Sequence, residues 1–96
     1  MKLVLIAYNE AIDEEVQELL ERNGVVGFTK WTRVYGRGQA SEPHLGTHVW
    51  PKANNVLLIV TEGPIAQRLL EGVRALRQRL AREGIKAFAW EVQEIT

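Results

Sequence analysis

The order of elements in this 96-residue chain predicts an α+β fold, βαββαβ: an antiparallel sheet with two helices on one face and a long loop between strands 2 and 3. Three observations carry the prediction. Leu3 to Tyr8 and Val56 to Val60 are apolar runs without a polar break, as expected of strands buried on both faces. Two longer stretches repeat apolar residues at helical spacing. Between them, residues 27 to 51 hold both histidines, four of the eight glycines and two of the three prolines, a composition that sustains neither helix nor strand along its length.

Taken in order, Leu3 to Tyr8 is strand 1. In the first helix Ile12, Val16, Leu19, Leu20 and Asn23 form one stripe towards a core. Asp13 is placed as its N-cap, the glutamates that follow suit the positive end of the helix dipole, and Asn23-Gly24 stops it. Val25 to Tyr35 reads as strand 2. Phe28, Lys30, Thr32 and Val34 alternate with Thr29, Trp31, Arg33 and Tyr35, and mixed polarity on both sides suits an edge strand. The loop is expected from Gly36 to Asn54, and strand 3 from Val56 to Val60. Pro64 falls in the first turn of the second helix, whose stripe is Ile65, Leu69, Val73, Leu76 and Leu80. Gly84 ends it. Ile85 to Val92 is strand 4, with Phe88, Trp90 and Val92 on one face and Ala87 and Ala89 on the other; Trp90 is expected to be packed.

This order is the ferredoxin-like split βαβ arrangement, in one domain over residues 1–96. Its central strands are 1 and 3, the two that are apolar throughout. The helices cover one sheet face only. The second face is then a large apolar patch unless another subunit covers it, so an oligomer is expected.

Composition narrows the function. Hydrophobic content of 46% and charged content of 25% are those of a globular domain, and the absence of cysteine excludes disulfides, thiolate metal sites and a cysteine nucleophile. The formal net charge is zero, which provides no field for nucleic acid or membrane. The opening apolar run is too short for a leader and is followed by acidic residues. No run reaches transmembrane length, and a cytoplasmic location is expected. Charge is nevertheless segregated: Glu10, Asp13, Glu14, Glu15, Glu18 and Glu21 precede or lie on the first helix, and Arg68, Arg74, Arg77, Arg79 and Arg82 on or after the second. Side-by-side helices would account for this.

The 36–54 segment is the candidate working part, since a long loop in a short domain is commonly functional. Gly36-Arg37-Gly38-Gln39 can wrap a phosphate: glycines allow close backbone approach and Arg37 adds charge-assisted hydrogen bonds. A plain strand exit has the same composition. Gly27 and Thr29 are candidates to line the same cleft. His44 and His48, with Glu42 nearby, are candidate ligands for a divalent metal, although Pro43 and Gly46 argue against a helix that would set both imidazoles on one face. Trp31 and Trp50 suit packing or a subunit interface better than cofactor stacking. No catalytic constellation stands out.

Gly27-Phe28-Thr29, Gly36-Arg37-Gly38-Gln39, a long loop, and Trp50-Pro51-Lys52 before an apolar strand resemble the PII signal-transduction family. The resemblance implies a homotrimer of ferredoxin-like subunits that binds ATP, ADP or AMP between subunits and signals through a loop, here 36–54, to a target protein. It assigns Gly27, Thr29, Gly36, Arg37, Gly38 and Gln39 to the ligand site. The chain departs from that family in its short Glu83-Gly84-Ile85-Lys86 connection, where Gly84 and Lys86 alone stand for a longer phosphate-binding loop, so Lys86 joins the candidate set. The expected function is therefore non-enzymatic sensing of a small molecule. The alternatives are a metal-binding trimer resembling the CutA proteins, using His44 and His48, and an enzyme built as a small dimeric α+β barrel.

Overall fold

The computed structural model describes residues 1–37 and 53–96. The elements are β1 (Lys2–Asn9), a 3-10 turn (Glu10–Ile12), α1 (Asp13–Arg22), β2 (Thr29–Tyr35), β3 (Ala53–Thr61), α2 (Gly63–Arg79) and β4 (Ile85–Glu91). The four strands form one antiparallel sheet in the order β2-β3-β1-β4. This is the expected ferredoxin-like arrangement, with the two apolar strands at its centre. The expected loop lies mostly outside the described residues.

The register places Val4, Ile6 and Tyr8 beside Leu57 and Ile59 on one face. These five are at most 1% exposed and form a single core with Val16, Leu19 and Leu20 of α1 and Leu69, Val73 and Leu76 of α2. The helices meet closely where Gly72 of α2 faces Leu19; a Cβ at residue 72 would overlap the Leu19 side chain. Helix α1 ends in a Schellman turn. Gly24 NH donates to the Glu21 carbonyl at 3.1 Å and Val25 NH to that of Leu20 at 3.0 Å, with Gly24 at φ +71°. Gly24 is thus needed for its left-handed conformation.

Several boundaries differ from expectation. Asp13 is not the N-cap. Asp13 is the first helical residue, Ile12 stands at the N-cap without a side-chain bond, and Asn9 caps the preceding 3-10 turn, its side chain accepting from Ala11 NH at 2.9 Å. The Schellman turn consumes residues that read as strand, so β2 starts at Thr29 rather than Val25, and Val26 is 95% exposed. Strand β3 begins at Ala53 and takes in Asn54 and Asn55, because their backbones pair with Asn9 and Tyr8 of β1; ladder pairing outweighs the poor strand propensity of asparagine. Helix α2 stops at Arg79, before Gly84.

The alternation along β2 also breaks. Trp31 pairs with Val56 but Val34 with Asn54, a bulge across Thr32 and Arg33, with Arg33 at φ 55°. Both Val56 and Asn54 project from the face without helices. Trp31 and Val34 therefore share that face, and Tyr35 no longer follows Trp31 as simple alternation requires.

Candidate functional site

The face without helices carries cross-strand rows. One runs Trp31, Val56, Ala7, Lys86; the next Thr29, Leu58, Leu5, Phe88; the third Val60, Leu3, Trp90. Phe88 is 51% exposed, Trp90 and Trp31 48% each, and Val60 40%. Trp90 is not packed within the chain, contrary to expectation, because the small Ala87 and Ala89 are the strand β4 residues turned towards the helices. The result is a broad apolar surface rimmed by polar groups, of the kind that marks an interaction site.

The candidate ligand residues lie around this face in three places. Thr29 opens β2 on the open face, two residues after the exposed Gly27. Gly36 and Arg37 follow the far end of β2, on the order of 20 Å away at about 3.3 Å per residue. Gly36 runs close to β3, so a Cβ there would stand 2.9 Å from Asn54 Nδ2. Lys86 sits on the open face of β4. Strands β2 and β4 are the opposite edges of the sheet, so three strand spacings, roughly 14 Å, separate them. One chain thus does not gather these groups into a single pocket. Gly38, Gln39, His44 and His48 lie outside the described residues. Among the described residues, no group of three or more His, Cys, Asp and Glu could hold a metal.

Chemically, the described candidates offer cations and backbone donors to an anion. The connection leading to Lys86 is held firmly. Asn9 NH donates to the Gly84 carbonyl at 2.9 Å, and Arg77 donates twice to that of Ile85.

A polar cluster that sequence reasoning missed braces the strands bordering the undescribed segment. Oδ1 of Asp13 accepts from Tyr8 OH at 2.5 Å, Lys30 Nζ at 2.9 Å and Asn55 Nδ2 at 3.2 Å. It ties the first turn of α1 to β1, β2 and β3. Burial pushes the Asp13 carboxyl up, but the bonds from Tyr8, Lys30 and Asn55 and the lysine charge outweigh it, and the net shift is downward. Burial first, and then the bond to Asp13, raises the Tyr8 hydroxyl. The available signal was Lys30, a cation at an inward-facing position of a strand, which calls for a buried anion.

The sequence profile of the nitrogen regulatory protein P-II family matches residues 1–96. No curated protein matches the chain. Among solved structures, a PII-like signaling protein from Thermus thermophilus is 23% identical, with a TM-score of 0.64 over 95% of this chain and 85% of that one. CPII from Thiomonas intermedia, bound to ADP and bicarbonate, is 23% identical, with a TM-score of 0.63 over 97% and 88%. The apo form of CPII is 21% identical, with a TM-score of 0.66 over 95% and 89%. At this identity the likeness is one of fold.

Proposed function

Because this chain belongs to the nitrogen regulatory protein P-II family, we propose that it is a non-enzymatic regulator that senses an adenine nucleotide between the subunits of a homotrimer. Residues 1–96 act as one domain, and the 36–54 segment reports ligand occupancy to a partner protein by shifting between docking-competent and docking-incompetent states. Family membership supports a cytoplasmic site of action. Among the described residues, no helix is long and apolar enough to cross a membrane.

One observation carries the reading: the ligand candidates stand on opposite edges of an uncovered apolar sheet face. A neighbouring subunit packed on that face buries Phe88, Trp90 and Trp31. It also brings the Thr29 edge of one chain towards the Lys86 edge of the next. Gly27 and Thr29 then line the cleft, while Gly36, Arg37, Gly38, Gln39 and Lys86 meet the phosphates. CPII bound to ADP, AMP and bicarbonate supports an adenine nucleotide as the ligand. Nothing described favours a divalent metal at His44 and His48, and P-II membership sets the chain apart from small dimeric barrel enzymes.

Native mass spectrometry with ATP, ADP, AMP and Zn²⁺ tests this. The expected result is a trimer that takes up as many as three nucleotides. A trimer that ignores nucleotides and retains zinc, or a dimer, overturns it.

A further inference from the structure

The backbone that carries Gly27 and Thr29 is held at two points. At one end Val25 packs against the core, and its NH donates to the Leu20 carbonyl at 3.0 Å. At the other end Lys30 turns to the helix side of β2, where its Nζ lies 2.9 Å from Asp13 Oδ1. Lys30 is the one residue of β2 that is not exposed. Between these points Val26, Gly27, Phe28 and Thr29 are all exposed. A Cβ at Gly27 would meet nothing within 4 Å among the described residues. The run thus stands clear of the rest of the described chain, and its two ends set where it lies.

The Lys30 end is built to be rigid. A solvated lysine–carboxylate pair contributes little, because two mobile side chains must be ordered to form it. Here the acceptor is ordered beforehand. Asp13 lies in the first turn of α1, where the helix dipole favours a carboxylate. Tyr8 OH and Asn55 Nδ2, from residues 1% and 4% exposed, donate to the same Oδ1. Lys30 therefore docks on an oxygen that β1 and β3 already fix, and its own side chain is mostly covered.

We propose that Asp13 and Lys30 are positioning residues for the nucleotide: their ion pair holds the Gly27 to Thr29 segment in the geometry that the ligand meets. The proposal rests on the reading of Gly27 and Thr29 as cleft residues. The pair acts from behind the cleft without touching the ligand, since Lys30 lies beside Leu57 on the helix side and Thr29 beside Leu58 on the open face. It acts by occupancy. A segment that keeps the binding geometry for about a tenth of the time binds about tenfold more weakly.

The test is calorimetric titration of the full chain, in its native assembly, with ADP, together with ¹⁵N relaxation of the ligand-free protein. Lys30→Met keeps the stem and removes the charge. It is expected to weaken ADP binding about tenfold and to lower the amide order parameters of Gly27 to Thr29 from rigid values of about 0.85 towards about 0.6. Lys30→Arg, which renews the pair, restores both. Tyr8→Phe removes a different donor from the same carboxylate and leaves Lys30 in place, so it costs stability while ADP affinity stays at the wild-type value. A wild type that binds ADP with Lys30→Met its equal overturns this inference alone, as do unchanged order parameters in Lys30→Met. An equal loss of affinity in Tyr8→Phe also overturns it, because that loss reports stability and not position. A wild type that takes up no adenine nucleotide overturns the nucleotide reading and this inference with it.

Discussion

The two faces of the sheet use the same kind of residue to different ends. Under the helices, Val4, Ile6, Leu57 and Ile59 are sealed, and the polar tips of Tyr8 and Asn55 are tied to Asp13. On the other face, Leu3, Leu5 and Leu58 are only half-buried, and the aromatic residues of β2 and β4 stand in solvent. The covered face folds the chain. The open face is the larger apolar surface still free to drive association. The difference teaches that apolar character by itself does not separate core from interface; what lies above each face does.

Breaking the covered face has the largest effect. Leu69→Ala empties a fully buried site and is expected to cost about 2–5 kcal/mol in chemical denaturation; a loss below about 1 kcal/mol contradicts a tightly packed helix layer. Gly72→Ala inserts a methyl group against buried Leu19 and is expected to cost about 1–3 kcal/mol, and Leu19→Ala in the same chain recovers part of it.

Tyr8→Phe keeps the ring and removes a donor from Asp13, for an expected loss of about 1–3 kcal/mol. The cluster also sets the pH response. The folded state holds the Asp13 carboxyl below its usual value of about 4, so its contribution is present above that pH and is lost as pH falls through the depressed folded value. The Tyr8 hydroxyl is raised above about 10; its contribution is full below that pH and is lost as pH rises through the raised value. Thermal melts across pH should therefore show both limbs, and Asp13→Asn should remove the acid limb while only reducing the alkaline one, since the burial of Tyr8 remains.

Phe88→Lys sharpens the comparison from the other side. On the proposed homotrimer, the expected outcome is retained helix content by circular dichroism, an intrinsic change within about 1 kcal/mol, and an assembly that falls to single chains by light scattering. Loss of helix with no loss of assembly would falsify the division of labour between the faces. Smallest is Arg33→Gly at the bulge. Relief of a left-handed conformation is offset by added chain entropy, so the expected gain is a few tenths of a kcal/mol, with little change in assembly.

Much of this architecture was legible. Both helical stripes, the central placement of the two apolar strands and the alternation of Ala87 and Ala89 with Phe88 and Trp90 followed from spacing; which of those two faces of β4 turned inward did not, and Trp90 was expected to be the packed one. Strand limits were less so. The Schellman turn shortened β2, and pairing with Asn9 and Tyr8 drew Asn54 and Asn55 into β3, because local propensity does not contain the hydrogen bonds of a partner strand. The candidate site was legible as residue types, Thr29, Arg37 and Lys86 among them, but not as a place, since their separation across the sheet is set by strand order.

The sequence by itself determined the periods: which residues alternate, which recur every three or four, and where glycine permits a left-handed turn at Gly24. These are local, fixed by backbone geometry within a few bonds. Tertiary structure decided what the periods meet. It made Asp13 an acceptor for three strands instead of a cap, and turned Val34 to the side of Trp31 across a bulge. Each depends on residues remote in the chain, whose approach is settled by packing and ladder pairing rather than by any local preference.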